Sequence, residues 1–177
     1  MNHACRSFFR IFAIAIVGAA TLVGAELPAP AAAVLVDGYE KVGFDQLASF
    51  TFTPPAEGAA PESDAKAAAQ GDEQIPARIR SFDAKKVALT GFMLPVKMDG
   101  GLVKEFLLMK DQMTCCFGVM PRINEWVVVK MTGKGAPPLM DVPITFEGTL
   151  KVGAMYENGY LTGIYQLAGD RLAESKN

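Results

Sequence analysis

Between Ile144 and Val152 apolar and polar residues alternate without a break: Ile144, Phe146, Gly148, Leu150 and Val152 against Thr145, Glu147, Thr149 and Lys151. A period of two is the spacing of a strand with one buried face. Asn158-Gly159 follows, a dipeptide that accepts positive φ at both central positions of a type I′ turn. Residues 160–168 then read as the returning strand. A hairpin patterned in this way must lay its apolar face on a core, so the rest of the chain has to supply matching layers.

It does so mainly with more strand. Residues 86–96 read as one, with Gly91 in its middle, where a bulge or sharp bend is expected. Asp99-Gly100-Gly101 is a hairpin turn leading to a strand over residues 102–110, and residues 125–131 form a third, valine-rich strand. Helix is scarce. Pro76 suits the first position of a short helix over residues 76–81, and a turn or short helix near residues 45–48 precedes a strand at residues 49–53. Five strands in sequence plus an N-terminal one predict a mainly β fold. Closing such a sheet removes its edges, so the expectation is a small five- to six-stranded antiparallel barrel, closed or partly open, resembling the OB (oligonucleotide/oligosaccharide-binding) fold and bent at Gly91. The helix usual between the third and fourth strands of that fold is missing, because residues 133–141 are too rich in proline and glycine. A β-sandwich is the alternative.

The N-terminus reads as an export signal. Arg6 and Arg10 form a positive region before an uncharged apolar run over residues 11–23, and Val23-Gly24-Ala25 offers a cleavage site after Ala25, with a second near Ala33. No later segment approaches the roughly 18 apolar residues that span a bilayer, so the mature chain is expected not to span the membrane. Cys5 precedes the apolar run, which excludes it as a lipid-anchor cysteine. The organisation that follows is a signal peptide (1–25), a Pro/Ala-rich disordered spacer (26–33), an N-terminal segment packing on the domain (34–53), a flexible Ala/Pro/Glu/Asp-rich loop (54–74), a barrel domain (75–170) and a polar tail (171–177). Cleavage removes Arg6 and Arg10 and shifts the formal charge from −2 to −4. An acidic exported chain is a poor nucleic-acid binder, since that binding needs basic patches. The only histidine, His3, leaves with the signal.

Cys115 and Cys116 are therefore the only cysteines of the mature chain, and they fall where the strand pattern stops. Adjacent Cα atoms lie about 3.8 Å apart, whereas ordinary disulfides want roughly 4.4–6.8 Å. A bond between the two would be strained and easily reduced. In a regular strand the thiols would point to opposite faces, so sharing a ligand needs a turn, which Gly118 and Pro121 favour. Without histidine the chain cannot complete an ordinary zinc site alone. Two thiolates with methionine sulfur suit a soft ion such as Cu(I). Met93, Met113 and Met120 are the candidate thioether ligands, against the plainer reading that methionines fill core gaps. Phe117, Gly118, Asn124, Glu125 and Trp126 would wall such a site. A dithiol exchange enzyme would more usually show C-x-x-C. No phosphate loop, nucleophile elbow or histidine metal motif is present, and no catalytic residue stands out.

Gly91-Phe92-Met93-Leu94-Pro95, Phe106-Leu107-Leu108, Cys115-Cys116-Phe117-Gly118 and Asn124-Glu125-Trp126-Val127-Val128-Val129, in this order, resemble the signature of a family of exported bacterial proteins, domain of unknown function 3299. The resemblance runs over residues 75–168, more weakly over 44–52. It implies an envelope location and a β-rich domain and transfers no catalytic residue. The expectation for function is a non-enzymatic periplasmic accessory or binding protein that takes a copper or zinc ion, or an envelope or transporter partner, at the Cys-Cys loop. The alternatives are a thiol–disulfide or redox-sensing protein and a structural module with a vicinal disulfide.

Overall fold

A computed structural model describes residues 35–55, 63–112 and 120–173. Seven strands form one mixed sheet: β1 (Leu35–Val36), β2 (Tyr39–Val42), β3 (Lys86–Asp99), β4 (Leu102–Met109), β5 (Trp126–Met131), β6 (Pro143–Glu157) and β7 (Tyr160–Leu172). Among the described residues three helices, α1 (Phe44–Leu47), α2 (Asp64–Glu73) and α3 (Ala77–Arg80), lie between β2 and β3. No helix among the described residues is long and apolar enough to cross a membrane.

The hydrogen-bond ladder returns on itself. Neighbours run β3-β4-β5-β7-β6, and β6 pairs again with β3. β3 makes this possible by serving two partners in succession. Lys86 to Phe92 pair with Thr149 to Pro143 of β6, and Phe92 to Asp99 pair with Met109 to Leu102 of β4. Gly91 sits at the changeover. A Cβ there would fall 2.6 Å from the Met109 carbonyl oxygen and 3.0 Å from both Leu108 Cγ and Phe44 Cε2. The glycine in mid-strand is thus required by close approach of β4 and α1.

The expected turns form as their residues dictate. Asn158 (φ 54°) and Gly159 (φ 84°) join β6 to β7. Gly100 (φ 57°) and Gly101 (φ 79°) join β3 to β4. The alternating strand turns Phe146 and Leu150 inward with Val87, Leu89, Phe106, Leu108, Val127, Val129, Tyr165 and Leu167, all fully buried. Phe106 and Phe146 meet with ring centroids 4.8 Å apart. Tyr165 keeps its polar end satisfied by donating to the Leu47 carbonyl at 2.9 Å, which ties α1 to this core.

Four features depart from the sequence-based expectation. The sheet is mixed and not antiparallel throughout, since β5–β7 and β2–β3 are parallel pairs. The N-terminal strands lie at Leu35–Val36 and Tyr39–Val42 instead of residues 49–53. In that later stretch side chains take the backbone groups: Gln74 brackets Thr53, donating to its carbonyl at 3.2 Å and accepting from its amide at 2.9 Å, while Arg78 donates to the Ser49 carbonyl and Asn124 to that of Phe50. The loop expected over residues 54–74 contains α2, capped by Ser63, whose hydroxyl accepts from the Lys66 amide at 3.2 Å. Alanines that read as low complexity are there good helix formers packed on β6. Pro76 is the cap of α3, one residue ahead of its first turn. Residues 133–141 carry no helix, and Ala136 forms a bridge with Val103.

Candidate functional site

Cys115, Cys116, Met113, Phe117 and Gly118 lie outside the described residues. The structure defines the point from which that connection leaves the sheet and to which it returns. β4 ends at Met109, which pairs with Trp126 at the start of β5. One residue further, the Lys110 amide donates to the Glu125 carbonyl at 2.9 Å. The returning chain makes a 3-10 turn, Ile123–Glu125, before entering β5.

Glu125 locks this neck. Its carboxylate accepts from the Arg122 guanidinium at 2.7 Å, from the Arg122 amide at 3.0 Å and from Lys110 Nζ at 3.4 Å. The Arg122 side-chain hydrogen bond is the main reason its pKa is lowered to about 2, and it outweighs the opposing effect of burial. The same bond raises the pKa of Arg122. A cavity of about 180 Å³ opens here, lined by Met109, Lys110, Asp111, Pro121 and Glu125. Gln112 donates to Asp141, tying the departing segment to the connection that precedes β6.

The other wall residues have different roles. Asn124 is 1% exposed and donates to the Phe50 carbonyl at 2.6 Å, so it fastens the irregular N-terminal segment to the neck. Among the described residues its Oδ1 is buried without a hydrogen-bond partner. Trp126 is half-buried and packs against the hydrophobic core. Met93, 5% exposed, is a core residue, whereas Met120 is 86% exposed beside the neck. No group of three or more His, Cys, Asp or Glu side chains among the described residues is placed to hold a metal ion.

Lys110 and Arg122 were not singled out by sequence reasoning. The usable signal was Arg122-x-x-Glu125, whose spacing of three allows one side chain to reach back over a helical turn. Nothing in the sequence paired Lys110 with the same carboxylate, because that meeting depends on the β4–β5 register.

The geometry describes a mainly β protein in which a clamped neck joins the end of β4 to the start of β5, the strands between which Cys115 and Cys116 fall in sequence. The family model described as protein of unknown function (DUF3299) matches residues 44–174, and the chain belongs to that family. A crystal structure of a DUF3299 family protein from Pseudomonas aeruginosa PAO1, at 2.45 Å resolution, is similar with a TM-score of 0.50 and 23% identity over 78% of this chain and 99% of that one. That likeness concerns the fold. No curated protein matches the chain.

Proposed function

We propose that this chain is an exported, non-enzymatic accessory protein of the bacterial envelope that binds a soft metal ion through Cys115 and Cys116. In this reading the ring of strands is a small OB-like barrel acting as scaffold, and the connection across residues 114–121, with the adjoining edge of β5, is the working surface.

The observation that carries the reading is the neck. A backbone hydrogen bond, the Met109–Trp126 pair and the Glu125 carboxylate between Arg122 and Lys110 all secure the two ends of the cysteine-bearing connection. A purely tethering connection needs no such clamp, whereas a binding loop gains affinity from a preorganised base. The sulfur chemistry selects the ligand class. Adjacent thiols make a poor disulfide, and two thiolates without histidine favour a soft monovalent ion. Exposed Met120 at the foot of the loop is available as a further sulfur ligand, while Met93 is sealed in the core.

Titration of the mature protein with Cu(I) against a competing chelator tests this. One ion should bind per chain, and Cys115→Ser with Cys116→Ser should abolish binding without changing the circular dichroism spectrum. Unchanged binding by the double variant would remove the cysteines from the site.

A further inference from the structure

A strand edge that faces no other strand still has backbone groups to satisfy, and an unprotected one pairs with other chains. β6 pairs with β7 along one side as far as Glu157. Its other side pairs with β3 only to Thr149. Beyond that point every second amide is met by something other than a strand. Leu150 donates to the Lys85 carbonyl at 2.9 Å, Val152 to Asp83 Oδ1 at 2.8 Å and Ala154 to Asp72 Oδ1 at 2.6 Å. At the hairpin tip Gly159 donates to Asp64 Oδ1 at 2.9 Å. The two-residue spacing marks a single edge, and α2 supplies the last two acceptors, one from each end of the helix.

α2 is a light attachment. Its 10 residues fall short of the roughly 12–15 that a helix needs to be even marginal alone. It buries only Ala67 and Gly71, and Gly71 lies so close to β6 that a Cβ would come 2.4 Å from that of Ala154. Helix formation and docking on β6 are therefore one event. An undocked α2 loses its helix and leaves the Ala154 and Gly159 amides open.

The strand beneath it carries neither proline nor charge over residues 152–156, although its pairing with β7 shifts register between Val152 and Tyr156. Val152, Gly153, Ala154, Met155 and Tyr156 form an uncharged run. A second strand edge, on β3 beyond its pairing with β6, differs in carrying Pro95 and Lys97, residues that discourage strand addition. We propose that the outer edge of β6 is a latent pairing edge for the same edge of a second copy, and that α2 is the guard that keeps it closed. Antiparallel self-pairing about a two-fold axis sets the uncharged run against itself, with no like charges opposed.

Two variants of the mature chain remove the guard by independent routes. Asp64→Ala with Asp72→Ala deletes the acceptors, and Gly71→Val pushes the helix away sterically. Amide exchange read by mass spectrometry or NMR should accelerate about tenfold or more at Ala154 and Gly159, while Leu107 and Val128 in β4 and β5 keep their protection as the control for folding. Size-exclusion chromatography with light scattering should then show a concentration-dependent dimer, absent for the unmodified chain at the same concentrations, in which the amides of residues 152–156 regain protection. A released helix on a folded chain that stays monomeric would overturn the pairing edge. Unchanged exchange at Ala154 in both variants would overturn the guard.

Discussion

Glu125 shows how a single side chain can define a site's base. Its carboxylate closes a 3-10 turn, holds Arg122 and Lys110, and stands at the wall of the cavity. Because its folded-state pKa is depressed, the stabilisation it provides is complete above the ordinary carboxylate value of about 4.3 and is lost as pH falls towards about 2. Replacement by Gln keeps the shape and removes the charge. Glu125→Gln should cost about 1 kcal/mol at neutral pH, and the difference from the unmodified protein should vanish near pH 2. Chemical denaturation across the pH range measures this, and an NMR titration of the Glu125 carboxyl carbon with a midpoint at the ordinary value would contradict the lock.

At the scale of elements, legibility followed locality. The β6–β7 hairpin and the β3–β4 turn were readable because alternation and turn chemistry act over a few residues, and Gly91 announced the strand that changes partners. What was not readable depended on tertiary partners. Residues 49–53 look like a strand, yet Gln74, Arg78 and Asn124 take their backbone groups. α2 looks like low complexity until β6 offers a surface for alanine and glycine to pack on. Parallel pairing of β5 with β7 follows from ring closure, which no local pattern encodes. Of the candidate site, Glu125 stood out from its position after the cysteines and lines the cavity, Trp126 packs on the core instead, and the role of Lys110 emerged only from register. The partner change at Gly91 gives a prediction at this scale. Gly91→Val should destabilise the fold by about 1–3 kcal/mol through overpacking, whereas Gly133→Ala, where a Cβ meets nothing within 4 Å, should be close to neutral. Melting temperatures of the two variants check this, and equal shifts would argue against crowding at the changeover.

The whole molecule is organised around the ring's interior. Phe106 from β4 and Phe146 from β6 meet there, joining the two strands that flank β3, with Tyr165 anchoring α1 from the same core. Phe106→Ala should therefore cost about 3–5 kcal/mol, and Met120→Ala, at an exposed position, should change stability little. Guanidinium unfolding distinguishes them, and a Phe106→Ala cost below about 1 kcal/mol would place the core elsewhere. A rigid ring gives the neck a fixed frame, and the fixed neck is what recommends the cysteine-bearing connection as the working surface. The most direct test is native mass spectrometry of the protein recovered from the periplasm of an expressing bacterium. The account predicts a chain beginning at Glu26 that carries one copper ion and, after metal removal, two free thiols. A metal-free chain lighter by two hydrogens, its cysteines already joined, would contradict it.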